Sequence, residues 1–253
     1  MPARKIKRRV ARVIATSIEV TRHGRVEVIQ MRRPDHGNRV SQAMAEEIIA
    51  ALDTARRSAD VGACVLTGHG EVFCLGGDYW GAGPTSTGRL EFARAFMDLG
   101  QAIARLGKPV IAAINGNAHA GGFSLVVACD MAVAADDATL GLPEAAKGLF
   151  PFLALAIVKD ALPKKVLFDI VYNARLMDAA EAKALHLVNE IVPRATVLER
   201  AIAIAERASG YNASVIRLGR DLYYNMRNMS GAQALEESGF ALIAALGADD
   251  EAR

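Results

Sequence analysis

The sequence predicts an α/β fold: a mainly parallel sheet with right-handed helical crossovers, followed by an all-helical C-terminal region. Three observations carry this. Short apolar runs recur at 62–67, 110–114 and 130–135, the length of buried strands, and the run at 110–114 is rich in β-branched residues. Stretches with helical spacing separate them, so consecutive strands run parallel. From Pro151 onward the apolar residues fall at helical spacing only.

Taken in order, 13–20 and 25–31 alternate or run apolar around His23-Gly24 and predict an opening antiparallel hairpin. Ser41 predicts the N-cap of an amphipathic helix to about Ser58, with Met44, Ile48, Ile49 and Leu52 on one face. The strand at 62–67 leads through a glycine-bearing loop to a helix over 89–106. A strand follows at 110–114, behind Pro109. Asn115-Gly116 turns the chain, Ala120-Gly121-Gly122 allows a close backbone approach, and 123–129 winds into an apolar helix. Strands at 130–135 and 138–140 precede Glu144, and helices are expected at 151–161, 163–172, 178–185, 195–209, 212–226 and 231–246.

Two glycine-marked turns beside buried strands stand out, Gly76-Gly77 and Gly121-Gly122. Either they permit close helix packing, or each supplies one backbone N–H to the same oxygen. Acyl chemistry needs the second arrangement: two aimed donors stabilise a thioester enolate, and losing one costs roughly 3–4 kcal/mol. Glu144 follows Pro143 among Leu140, Leu142 and Leu149. It is either a carboxylate facing a partly apolar cavity, where burial raises its pKa toward that of a working acid or base, or a surface group capping a helix or pairing with Lys147.

Composition narrows the class. The 253 residues, 52% hydrophobic, suffice for one large core with a helical annex. A net charge of +2 argues against a general nucleic-acid binder, so no nucleic-acid partner is expected. Cys64, Cys74 and Cys129 lie in apolar runs and read as buried free thiols of a reducing compartment, without metal-ligand spacing. No apolar run reaches the ~20 residues that span a bilayer, and no secretory h-region opens the chain, so a cytoplasmic protein is expected. The basic residues 1–12 read as a solvated tail, a targeting peptide or an anionic-surface contact.

The motifs themselves resemble a known family. FCLGGD at 73–78 and INGNAHAGGFSLVVACDMAVA at 114–134 resemble the two oxyanion motifs of the enoyl-CoA hydratase/isomerase (crotonase) superfamily. MRRPDHGN at 31–38, LGLPEAAKGLFP at 140–151 and ARLMDAAEAKALHLVNEIVP at 174–193 are similar to its early turn, catalytic-glutamate and downstream segments. The likeness runs from about residue 17 to 247. It implies a crotonase-like spiral of β/β/α repeats over 13–195, a helical region at 196–253 that packs trimers or hexamers, and an acyl-CoA substrate with no cofactor beyond its own CoA.

Position by position, the resemblance implies that Gly77 and Gly121 are the oxyanion donors and Glu144 the catalytic glutamate. Ser124 stands where two-glutamate hydratases carry their first glutamate, and a serine hydroxyl is a poor base near neutral pH. It is either a hydrogen-bonding group for water or inert packing. One glutamate suffices for double-bond isomerisation. By resemblance it also suffices in feruloyl-CoA hydratase-lyases, whose GGFS-type motif is similar to 121–124 and which use a phenol-binding tyrosine, a role open to Tyr79, Tyr223 or Tyr224. CoA contacts are implied at Arg33, Asn38, Val40 and Leu75, with Arg32 or Arg33 toward phosphate. Asp78 is expected to fix the oxyanion loop by accepting backbone N–H bonds. Tyr79 and Trp80 either line an acyl pocket or cover the core, and His119 is either titratable or a structural hydrogen bonder. The competing class is a crotonase-fold binding module with little catalysis, its basic N-terminus meeting RNA or an acidic partner. The joint presence of Gly77, Gly121 and Glu144 argues against it.

Overall fold

The computed structural model describes residues 12–14 and 17–250. The chain opens with β1 (Arg12–Ile14), β2 (Ile18–His23) and β3 (Val26–Met31), and β2 and β3 form the hairpin around His23-Gly24. The basic tail expected at 1–12 lies outside the described residues except for Arg12, which begins β1. α1 (Gln42–Arg57) starts where Ser41 accepts a hydrogen bond from the Met44 amide, and buries Met44, Ile48 and Leu52. Then come β4 (Ala63–Gly68), β5 (Val72–Cys74), α2 (Ser86–Ala104), β6 (Val110–Ile114), β7 (Asn117–His119), α3 (Gly121–Ala128), β8 (Met131–Ala135) and β9 (Thr139–Gly141). α2 begins three residues before the expected position because Thr85, unrecognised as a cap, accepts from the Gly88 amide.

The remainder is α4 (Phe152–Val158), α5 (Lys164–Tyr172), β10 (Leu176–Asp178), α6 (Ala179–Ala184), β11 (Glu190–Val192), α7 (Val197–Ser209), α8 (Ala213–Met226) and α9 (Gly231–Asp250). The C-terminal part is therefore not purely helical, as β10 and β11 each join a sheet formed earlier in the chain.

Two sheets result. The larger has the order β1-β2-β3-β4-β6-β8-β11 and is parallel from β3 onward. The smaller has the order β10-β9-β7-β5, with β5, β7 and β9 parallel. Each central strand of the large sheet is followed by a three-residue strand of the small one, giving the strand–strand–helix repeat β4-β5-α2 and β6-β7-α3. Every residue of β4 and β6 is buried, so both faces of the large sheet are covered. α7 lies against β3, β4, β6 and β8.

α8 is tied to this core by Arg220, which donates to the carbonyls of Ile103 and Ala104 at the end of α2, each at 2.7 Å, and to Asp130 Oδ2 at 2.9 Å. Its guanidinium thereby satisfies carbonyls that α2 leaves open. Cys64, Cys74 and Cys129 are all buried and unpaired, and burial pushes the Cys64 thiol up to about 12 and that of Cys74 up to about 11. Among the described residues no helix is long and apolar enough to cross a membrane.

Candidate active site

Three adjacent parallel strands of the small sheet each deliver one group to a common cavity from their C-terminal ends: β5 leads to Gly77, β7 to Gly121 and β9 to Glu144. The carboxyl edge of a parallel sheet is where loops are free to converge on a ligand. The cavity has a volume of about 440 Å³.

The first wall is the segment after β5. Its backbone is clamped to residues 37–40: Leu75 N–H donates to Gly37 O at 2.9 Å, Val40 N–H to Gly76 O at 2.9 Å, and Asp78 N–H to Val40 O at 2.8 Å. Arg33 secures the clamp from behind, pairing with Asp78 Oδ2 and donating to Arg39 O, both at 2.8 Å. Asp78 Oδ1 accepts from Gly81 N–H at 3.2 Å, the loop-fixing role its type suggests. Asn38 is fully buried with φ 49°; its amide donates to the carbonyls of His69 and Val72, and its carbonyl accepts from Arg33 N–H.

The residues for which CoA contacts are expected differ in their surroundings. Leu75 lines the cavity, whereas Arg33, Asn38 and Val40 do not. An ion pair and the carbonyl of Arg39 occupy the guanidinium of Arg33, backbone groups saturate the Asn38 side chain, and Val40 is buried in the core. Arg32 is likewise paired, with Glu19. The residue of this turn that does face the cavity is Arg39, which also donates to Leu75 O.

The second wall begins at Ala120, whose φ 54°, ψ −125° is a backbone conformation strained for a residue with a side chain. The strain is held by Ala120 N–H donating to Gly141 O at 2.8 Å, and it sets the direction of the next amide, that of Gly121. The two glycines that follow do different things. A Cβ on Gly122 would fall 2.0 Å from Cys74 O, so this glycine serves packing. A Cβ on Gly121 would fall 2.8 Å from Phe96 Cζ and 3.3 Å from the amide nitrogen of Gly77, and one on Gly77 would fall 2.6 Å from Phe92 Cζ. Phe92 and Phe96 stand one turn apart on α2, so a single helix face backs both glycines. Among the described residues neither the Gly77 nor the Gly121 N–H has a hydrogen-bond acceptor.

Ser124 sits one turn into α3, fully buried, and donates to Gly121 O at 2.7 Å. It is not among the residues that line the cavity.

Glu144 lies in a short 3-10 turn, Pro143–Lys147, at the third wall. Its Oε2 is buried and is the only such side-chain atom among the described residues without a hydrogen-bond partner. Burial raises its pKa above the usual carboxylate value, opposed more weakly by its own backbone amide and by the charge of Lys147. Lys147 acts on Glu144 through its charge and makes no hydrogen bond to Oε2.

His119 lines the cavity and is also a structural hydrogen bonder: Nε2 meets Thr139 Oγ1 at 2.8 Å, which in turn donates to Asn117 Oδ1 at 2.9 Å. Burial, then the charges of Lys147 and Arg39, lower its pKa, favouring the neutral ring. Tyr79 and Trp80 both line the cavity; Tyr223 and Tyr224 do not, and Tyr224 instead donates to Asp130 Oδ1 at 2.9 Å, beneath α8. Sequence reasoning missed Arg39, Arg89, Phe92, Phe96, Phe150 and Phe152 as cavity residues. The i, i+4 spacing of Phe92 and Phe96 was the one available signal, and alone it indicates only a packed helix face.

The fold thus defines a class, a two-sheet α/β protein of strand–strand–helix repeats with its cavity at the carboxyl edge of the smaller sheet. Residues 21–238 match the enoyl-CoA hydratase/isomerase family. A putative enoyl-CoA hydratase of Thermus thermophilus is 36% identical over 225 residues, covering 87% of each chain. A hydroxycinnamoyl-CoA hydratase-lyase of Pseudomonas fluorescens is 30% identical over 215 residues, covering 82% of this chain and 78% of that one. The crystal structure of a Mycobacterium smegmatis enoyl-CoA hydratase superposes with a TM-score of 0.87 at 27% identity, covering 92% of this chain and 91% of that one. The chain belongs to the enoyl-CoA hydratase/isomerase family, and is an enzyme of that family acting on CoA thioesters.

Proposed function

We propose that this enzyme moves a proton beside a thioester enolate with Glu144 as its single catalytic carboxylate, and that its reaction is the shift of a double bond from C3 to C2 of an enoyl-CoA. The observation that carries the reading is the unpartnered, buried Oε2 of Glu144 in the cavity wall shared with Gly77 and Gly121. Glu144 takes the C2 proton, the electron pair moves toward the thioester oxygen between the two amides, and the same carboxyl returns the proton to C4. No water is added and no charge is left over. Because the Ser124 hydroxyl is spent on Gly121 O, a second acid for hydration is lacking among the groups expected to supply one.

A second reading is hydratase-lyase chemistry, favoured by the Pseudomonas fluorescens relative and by Tyr79 in the cavity wall. There Glu144 deprotonates the 3-hydroxyl, the C2–C3 bond breaks, and an aldehyde leaves the acetyl-CoA enolate. The exposed Leu235, Phe240, Leu242, Ile243 and Leu246 of α9 support assembly as a homotrimer or hexamer.

Incubation with 3-hexenoyl-CoA, crotonyl-CoA and feruloyl-CoA, followed by chromatography and mass spectrometry, tests these readings. Conversion of 3-hexenoyl-CoA to its conjugated isomer, abolished in Glu144→Gln, is the expected result. Aldehyde release from feruloyl-CoA selects the second reading, and three unchanged substrates overturn both.

A further inference from the structure

The cavity has two chemically different sides, with the Gly77 and Gly121 amides between them. Arg39 and Lys147 charge one side and lower the pKa of His119 there. The other is a continuous row of rings: Trp80 to Tyr79 at 5.2 Å between centroids, Tyr79 to Phe92 at 6.5 Å, and Phe92 to Phe96 at 6.2 Å. Phe92 and Phe96 are buried against the two glycines, whereas Trp80 at the far end is 72% exposed. Phe152, which also lines the cavity, is 73% exposed and tilted on Phe150 at 5.5 Å. Large apolar rings left open to solvent in a cavity wall are surface that a ligand covers. The row begins behind the two glycines at Phe92 and Phe96 and runs outward from them to Trp80.

Resting on the proposed function, we infer that the enzyme's acyl group is aromatic: an aryl-substituted acyl-CoA whose ring inserts between the Tyr79–Trp80 pair and the Phe150–Phe152 pair. Rings at these spacings already sit in edge and tilted contacts, and a further flat ring extends the array with offset or edge contacts. A straight alkyl chain gains only area burial there, and loses more rotamer freedom on being held.

Calorimetric titration with saturated thioesters, which undergo no net conversion, tests this without requiring turnover. The probes are 3-phenylpropanoyl-CoA, its 3-cyclohexyl counterpart, nonanoyl-CoA with the same number of acyl carbons as the phenyl probe, and butanoyl-CoA. The phenyl probe is expected to bind about tenfold more tightly than either nine-carbon competitor, the gain two aromatic contacts provide. In Trp80→Leu and Tyr79→Leu that ratio should fall to about twofold. Trp80 is the single tryptophan of the chain, so its fluorescence in the wild-type enzyme should respond to the phenyl probe. Equal or tighter binding of nonanoyl-CoA, a cyclohexyl probe as good as the phenyl one, or a ratio unmoved in both variants would overturn the inference. If butanoyl-CoA binds while the aromatic preference is missing, the acyl assignment alone fails. If butanoyl-CoA does not bind at all, the proposed function fails with it.

Discussion

Gly121 and Gly77 approach so closely that a Cβ on the first would lie 3.3 Å from the amide nitrogen of the second. They reach this position from different strands, β7 and β5, and helix α2 closes the space behind both with Phe96 and Phe92. The geometry leaves no room for a side chain at either position while leaving both N–H groups unspent among the described residues.

Gly121→Ala therefore has two consequences. The new methyl group presses on Phe96, a buried ring that can yield little, and should cost about 1–3 kcal/mol of stability in urea unfolding. The displaced amide should lower kcat by roughly 10²–10³-fold, the loss that follows removal of one oxyanion donor. Stability loss with full activity would separate this glycine from catalysis.

Ser124→Ala should behave in the opposite way. The substitution removes a buried hydroxyl that donates to Gly121 O, at a cost of about 1 kcal/mol partly offset by the better helix propensity of alanine. Since that hydroxyl does not face the cavity, kcat/KM should stay within about threefold of wild type, as expected where no transition-state contact is lost. A hundredfold loss would put the serine back into the reaction.

How much of this was legible in the sequence follows from which signals are local. The buried strands β4, β6 and β8 announce themselves by short apolar runs, and the glycine pairs by their positional restriction. β5 and β7 are three residues long, and β7, Asn117–His119, is polar at both ends, so neither differs from a turn until the small sheet pairs them. Yet these strands are what bring Gly77 and Gly121 together. Motif adjacency also singles out Arg33, Asn38 and Val40 without revealing the direction of their side chains. Each faces the clamp that holds residues 75–78 rather than the cavity, because Asp78, the carbonyls of 69 and 72, and Gly76 lie behind the loop. The direction of the Ser124 hydroxyl, onto Gly121 O, is likewise fixed by the helix that starts at Gly121 and is not readable from the motif.

Burial of Glu144 ties stability to pH. Its folded-state pKa lies above the ordinary value of 4.5, so the folded protein holds this proton more tightly than the unfolded chain does. The stabilising contribution is fully present below the ordinary carboxylate pKa and is lost as pH rises through the raised one. Glu144→Gln, which cannot ionise, should therefore gain in melting temperature relative to wild type as pH increases above about 4.5, with little difference below. A gap that is constant with pH would mean that Glu144 keeps its solution pKa.

Exchange of the C2 protons of butanoyl-CoA in D₂O, followed by mass spectrometry, tests the central claim most directly. It reports enolate formation alone, whatever acyl group the enzyme prefers. The wild type should incorporate deuterium at C2, and Glu144→Gln should slow that incorporation by at least about 10²-fold, the contribution of a positioned base. Exchange at an undiminished rate in Glu144→Gln would contradict the assignment of Glu144 as the group that moves the proton.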